Sequence, residues 1–126
     1  MDAAARNALD NDGLIDISTV GRRTGQSRRI EIGLQRVHGR YYLTGTPGKA
    51  RAWYANLVAH PSFTLHLKQS VAADLEAVAR PVTELEEREA VFADLLIPFT
   101  SITSTPGMEP AVWIAQSPLV EVLFND

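Results

Sequence analysis

The chain contains no cysteine in its 126 residues. That absence removes disulfides, thiolate metal sites, iron–sulfur clusters and cysteine nucleophiles at once, and it fits a reducing compartment. No apolar run is long enough to span a bilayer. The first segment, Met1–Asp12, is alanine-rich with Arg6 as its one basic residue, and it lacks the basic and apolar regions of a signal peptide. These features predict a cytoplasmic protein with no integral membrane segment. His38, His60 and His66 lack metal-ligand spacing, so no metal site is expected. No G-x-S-x-G elbow occurs either. With no hydrolytic machinery and no catalytic side chain to name, an enzyme built on this sequence would take its chemistry from a bound cofactor.

Acids are nearly missing between Gly21 and Lys68. There Glu31 stands alone against Arg22, Arg23, Arg28, Arg29, Arg36, Arg40, Lys49, Arg51 and Lys68, although the whole chain has a net charge of −3. A mildly acidic protein with one concentrated basic segment points to an anionic ligand. No recognition helix or stacking platform accompanies the basic residues, so no nucleic-acid partner is expected.

The length predicts one domain, residues 1–126, with a core that needs no staples. Leu14–Val20 alternates, placing Ile15, Ile17 and Thr19 on one face of a strand. Arg28–Val37 alternates again, with Ile30, Ile32 and Leu34 inward. His38-Gly39 is a hairpin turn leading into Arg40–Thr44, and the three strands together predict an antiparallel meander. A helix is predicted over Ala52–Ala59, with Trp53 and Leu57 on one side, stopped by His60-Pro61. Phe63–Lys68 and Val71–Arg80 read as a hairpin joined at Gln69-Ser70. Thr83-Glu84-Leu85-Glu86 reads as a capping box. It opens a helix with Leu85, Phe92, Leu95 and Leu96 as its buried stripe, its acids solvated, and Pro98 as its end. Leu119–Phe124 reads as the last strand, whereas Thr100–Gln116 shows no assignable pattern. Five or six hairpin-joined strands with two to three helices predict a mainly-β fold, a closed or half-closed antiparallel barrel.

Three groups of residues carry possible chemistry. Gly21-Arg22-Arg23-Thr24-Gly25-Gln26-Ser27-Arg28-Arg29 brings together four guanidiniums whose only local acid is Glu31. Arginine forks match phosphate and carboxylate oxygens, and flanking glycines let backbone N–H groups approach an anion. A solvated basic loop is the alternative. The second group is the loop Thr44-Gly45-Thr46-Pro47-Gly48-Lys49-Ala50-Arg51, which runs into a helix start and so forms an anion site by geometry, or else an ordinary strand–helix connection. It is not a P-loop, because Leu43 stands at the earlier glycine position and Ala50 replaces the Ser/Thr. The third group is Trp53, Tyr54 and Asn56, where the aromatics suit either core or cofactor contact and Asn56 can pin the preceding loop.

Taken together, Gly21-Arg22-Arg23-Thr24-Gly25-Gln26-x-Arg28, Trp53-Tyr54-Ala55-Asn56-Leu57 and His60-Pro61 resemble the deazaflavin-dependent nitroreductase family. The likeness runs on through Leu67-Lys68 and Arg80 into Thr83-x-x-Glu86-Glu87-Arg88, from about Ile15 to Phe92. It implies a split β-barrel of the flavin-reductase and pyridoxamine-phosphate-oxidase type. It also implies coenzyme F-420, a deazaflavin hydride carrier with a phosphate and an acidic tail, and a small-molecule electron acceptor. By position, Arg22, Arg23, Thr24 and Arg28 would meet the phosphate and tail. Thr44, Gly45, Thr46, Gly48, Lys49 and Ala50 would face the ring and ribityl chain, and Trp53 and Asn56 would brace that loop. The chain departs from the family where Gly33 stands for a larger residue and where no tyrosine follows Tyr54, so nitroreduction does not follow from the likeness. FMN in the same fold is the rival cofactor, and a non-catalytic module binding an anionic cofactor or lipid is the rival class. Barrels of this type often pair through a sheet face, which makes a homodimer the expected assembly.

Overall fold

A computed structural model describes residues 1–48, 50–95 and 109–124. The elements run α1 (Ala3–Asn11), β1 (Leu14–Val20), β2 (Ser27–Gly33), β3 (Gln35–Val37), β4 (Arg40–Thr44), α2 (Ala52–Ala59), β5 (Ser62–Leu67), β6 (Ala73–Pro81), α3 (Leu85–Leu95), α4 (Pro110–Gln116) and β7 (Leu119–Phe124). The strands form one seven-stranded sheet in the order β2-β1-β5-β6-β7-β4-β3, and every pairing is antiparallel.

The first hairpin and the β5–β6 hairpin form as their alternation predicts. His38 and Gly39 take φ of 53° and 75°, the pair of positive values that a tight two-residue hairpin needs. The expected meander, however, does not form. The long strand read over Arg28–Val37 is two strands separated by Leu34, and β2 lies at one edge of the sheet while β3 lies at the other. Two edge strands joined through a single residue force the sheet to curl until its edges approach. The result is a mainly-β split barrel with a few helices.

Inside the barrel, Ile15, Ile17, Leu43, Leu65, Val120 and Val122 pack with Trp53 and Leu57 of α2 and Leu9 of α1. Residues of opposite parity on β4 and β7, Tyr42 and Leu119, point the other way. They make a second cluster with Val37, Val82, Val91, Phe92 and Trp113. Helix α1, for which the sequence reading gave no assignment, is capped by Asp2, whose side chain accepts from the Ala5 N–H at 2.8 Å. It buries Ala5, Ala8 and Leu9. Its end is fastened by Arg36, which donates to the carbonyls of Leu9 and Asp12. The Asp12 carboxylate accepts from the Ser70 hydroxyl and N–H at 2.6 and 3.0 Å.

Helix α3 begins one residue later than the capping box predicts, since the Glu84 carbonyl accepts the first helical bond, from the Arg88 N–H. Leu85 is 61% exposed, and the buried positions are Arg88, Val91 and Phe92. Glu87 is not on the solvated face either: it pairs with Arg80, which also holds Glu121 at 2.9 Å. Leu96 and Pro98 lie outside the described residues, and in the stretch that showed no pattern α4 appears over Pro110–Gln116. Arg88 is the bolt of this region. Its guanidinium donates to the carbonyls of Val82 (2.8 Å), Ile114 (2.6 Å) and Ser117, and it lies 5.5 Å from the centre of the Phe92 ring.

Two outcomes follow. Replacing Arg88 with Met leaves three carbonyls without their donor, and urea unfolding at neutral pH should show a loss of about 3 kcal/mol; a loss under about 1 kcal/mol would remove Arg88 from this role. The Ser70 hydrogen bonds hold the Asp12 carboxyl below its ordinary value of 3.8. A carboxyl that is more acidic in the folded state stabilises the protein fully above that ordinary value and stops doing so as pH falls through the folded one. The stability gap between wild type and Asp12→Asn should therefore be widest above the ordinary carboxyl value and narrow as pH falls below it, as followed by thermal melts across the acid range.

Candidate functional site

The loop between β1 and β2 is stitched to itself. The Gly21 N–H donates to the Gln26 carbonyl at 2.8 Å, and the Gly25 N–H donates to the Gly21 carbonyl at 2.9 Å. Thr24 Oγ1 accepts from the Gln26 N–H at 3.2 Å. A side chain at Gly21 has no room, because a Cβ there would lie 2.8 Å from Thr24 Oγ1 and 3.2 Å from the Gln26 carbonyl oxygen. Asn56 on α2 pins this loop. Its Oδ1 accepts from the Arg22 N–H at 3.0 Å, and its Nδ2 donates to Thr19 Oγ1 at 3.2 Å. The sequence reading gave Asn56 a bracing role on the loop that precedes α2, whereas the loop it holds is the earlier, arginine-bearing one.

Strand parity sorts the next two arginines. Arg28 pairs with Thr19 across β1–β2, and Arg29 pairs with Ser18. Successive side chains point to opposite faces, so Arg28 lies on the side of buried Thr19 and Arg29 on the outer side. Outside, Arg29 Nε meets Asp16 at 3.0 Å, and Lys68 meets both Asp16, at 2.7 Å, and Glu31. Those two cations hold the Asp16 carboxyl below its ordinary range. Inside, Arg22, Arg23 and Arg28 have no carboxylate within ion-pair distance among the described residues.

These three arginines surround a cleft of about 390 Å³. Thr24, Trp53 and Asn56 complete the predicted part of its wall, and Thr19, Gly21, Ile30 and Ala52 also line it. Gly21 opens the glycine-bracketed group read from the sequence, whereas Thr19, Ile30 and Ala52 are not among the site residues that reading gives. Thr19 and Ile30 share the inward parity of Arg28, which is the signal that would have found them. The apolar floor comes from Ile30 and from Trp53, whose ring meets Tyr54 edge-on at 6.1 Å.

Of the other expected site residues, those that are described, Thr44, Gly45, Thr46, Gly48 and Ala50, do not line this cleft. Thr44 donates through its hydroxyl to the Pro118 carbonyl at 2.6 Å, joining β4 to the start of β7. Thr46 is held by Arg51, whose Nη2 donates to the Thr46 hydroxyl at 2.6 Å. Gly45 packs against the Arg51 guanidinium, and Ala50 lines a different cleft on the other side of the α2 start. Lys49 lies outside the described residues.

Removing the amide of Asn56 leaves the Arg22 N–H and the Thr19 hydroxyl without their partner. Asn56→Ala should lose about 2 kcal/mol in urea unfolding, and the Arg22 amide should exchange with deuterium faster while the β5–β6 hairpin keeps its protection. Equal acceleration in both regions would show a global effect in place of a local pin.

The fold recurs among solved structures of low sequence similarity. A conserved hypothetical protein, Rv2991 from Mycobacterium tuberculosis, superposes with a TM-score of 0.70 at 18% identity, over 100% of this chain and 82% of that one. An F420-H2 dependent reductase, FDR-A, superposes with a TM-score of 0.57 at 19% identity, over 88% of this chain and 94% of that one. A FAD-binding protein of Mesorhizobium loti, mll6688, gives a TM-score of 0.63 at 12% identity, over 100% and 91%. The sequence profile of the F420H(2)-dependent quinone reductase family matches residues 4–98. By that match across most of its length, built on a split barrel of the flavin-reductase type, the chain belongs to the F420H(2)-dependent quinone reductase family.

Proposed function

We propose that the protein is a deazaflavin-dependent oxidoreductase that passes hydride from reduced coenzyme F-420 to a small unsaturated, quinone-like or nitro acceptor. The observation that carries this reading is the cleft in which Arg22, Arg23 and Arg28 converge without a carboxylate partner among the described residues. Guanidiniums left uncompensated beside an apolar floor suit a ligand with an anionic part and a flat part, and the coenzyme's phosphate and acidic tail supply the first. Arg22, Arg23 and Arg28 would hold those anions, with Thr24 beside them. Asn56 sets the position of Arg22 through the backbone, so the arginine loop is preorganised before any ligand arrives. In this reading Trp53 lends an apolar surface to the flat part of the ligand.

When bound, the reduced deazaflavin supplies hydride. The chain's own contribution is to bind, orient and keep water away, since positioning alone lowers the barrier of a bimolecular transfer substantially. No side chain is assigned as proton donor to the reduced acceptor.

Fluorescence titration with oxidised coenzyme F-420, run beside FMN, tests the reading. Saturable, deazaflavin-selective binding is expected, with affinity falling about a hundredfold or more in Arg22→Ala/Arg28→Ala, because two charge-assisted contacts are lost. Tighter binding of FMN would move the assignment to a flavin reductase of the same fold. Binding of the coenzyme without turnover across an acceptor panel would favour a sequestering module, and no binding of either would sink the cofactor reading altogether.

A further inference from the structure

Strand register gathers one further group of residues that the sequence keeps far apart. Ser18 on β1, His66 on β5 and Asp74 on β6 share the outer face of the sheet, and β5 lies between the other two strands. His66 stands directly opposite Asp74 and one diagonal step from Ser18, whose own opposite residue is Thr64. The His66 ring bridges the three strands, with Nε2 2.7 Å from Ser18 Oγ and Nδ1 2.6 Å from Asp74 Oδ1. A carboxylate only accepts, so Nδ1 carries the ring's proton and donates it to Asp74, which leaves Nε2 to accept from the Ser18 hydroxyl. Thr64 does not compete for the ring, because its hydroxyl donates to Glu76 at 3.2 Å. The ring is closely packed, with 9% of its side chain exposed, against 71% for Asp74. Ser18 is half-buried, whereas its inward-facing neighbours Ile17 and Thr19 are buried.

We propose that Ser18 is a nucleophile that takes the acyl group of small aryl esters, with His66 as its general base and Asp74 as the residue that positions the ring. A serine is made reactive by an imidazole that accepts its proton while a carboxylate fixes the other ring nitrogen. In the reaction the bond from Ser18 Oγ to the acyl carbon forms and the ester's bond to its leaving oxygen breaks. The hydroxyl proton passes through His66 Nε2 to that oxygen. Water then attacks the acyl-serine by the same route, releasing the acid and restoring Ser18. The class of ester follows from what surrounds the serine. At Ser18, β1 is paired with β2 on one side and β5 on the other, so the backbone N–H groups are spent on the ladder and not on an oxyanion. Neither cleft includes any of the three residues, so little binding energy is on offer and the inference does not depend on the cofactor reading. Without those two aids the ester has to be small and its leaving group good, which an aryl ester provides.

Release of p-nitrophenolate from p-nitrophenyl acetate by the full-length chain, at neutral pH and without added coenzyme, tests this. Release above the Ser18→Ala background is expected. His66→Gln should slow that release about a hundredfold and Asp74→Asn about tenfold. Asp74→Glu, which restores the carboxylate, should recover part of the second loss. The Asp74 side chain is largely exposed, so its variants test the relay even if His66→Gln fails to fold. Arg22→Ala/Arg28→Ala should leave the rate as it is. The proposal fails if Ser18→Ala releases phenolate as fast as wild type, and loss in His66→Gln with none in Ser18→Ala would make the imidazole the nucleophile instead. It fails as well if Asp74→Asn keeps the wild-type rate.

Discussion

Between Gly33, the last residue of β2, and Gln35, the first of β3, the chain has only Leu34 with which to pass from one edge of the sheet to the other. Two peptide units span about 7 Å at most, so the edges cannot stay apart as they do in an open sheet of this strand number. The sheet has to curl, and curling gives it an inside. Leu34 is itself buried in that inside with Ile15, Ile17 and Leu43. The helices then close what the curl leaves open, with α2 plugging one end by Trp53 and Leu57 and α1 another by Ala5, Ala8 and Leu9. The two clefts flank the first turn of α2. Ala52, Trp53 and Asn56 face one cleft, and Arg51 and Tyr54 face the other.

The individual strands could be read from the sequence, but their arrangement could not. Alternation located β1 and the β5–β6 pair because each buries one face, and period 2 survives wherever that is so. The same alternation hid the corner at Leu34. Ile30, Ile32 and Leu34 keep one parity straight through it, so nothing in the pattern marks where the strand changes edge. Helix α1 escaped because its buried face is built of two alanines and one leucine, too weak a contrast to stand out from an alanine-rich stretch. In α3 a hydrophobic stripe misled in the opposite direction. Leu85 is out and Arg88 is in, because the guanidinium finds three carbonyls to satisfy it while a leucine at the first turn finds nothing to pack on.

The candidate site was legible in part for the same reason. Arg22, Arg23, Thr24, Arg28, Trp53 and Asn56 do converge, although they come from a loop, a strand and a helix. Thr44, Gly45, Thr46, Gly48 and Ala50 do not join them. The apparent anion-binding chemistry of their loop is turned instead to internal ties, with the Thr44 hydroxyl on Pro118 and the Thr46 hydroxyl on Arg51. A glycine-containing loop before a helix is a permissive geometry, and only the three-dimensional neighbours decide whether its donors face a ligand or the protein.

A basic segment in a chain of net charge −3 poses an electrostatic question that strand parity resolves. At physiological ionic strength charges more than about 8 Å apart are largely screened, so what a ligand feels is set by near neighbours, not by the total. On the outer face of β1, β2 and β5, Arg29 and Lys68 are matched by Asp16 and Glu31, and that patch is locally neutral. One residue along the same strand, Arg28 lines the cleft with Arg22 and Arg23, where no acid among the described residues joins them. Consecutive arginines thus serve opposite ends, one closing an ion-pair lattice that ties three strands together and the other leaving a cationic mouth. Exchanging their surroundings by a one-residue slip of β2 would neutralise the mouth and expose an unpaired cation on the outer face, so the register that builds the barrel and the charge that marks its cleft are one constraint.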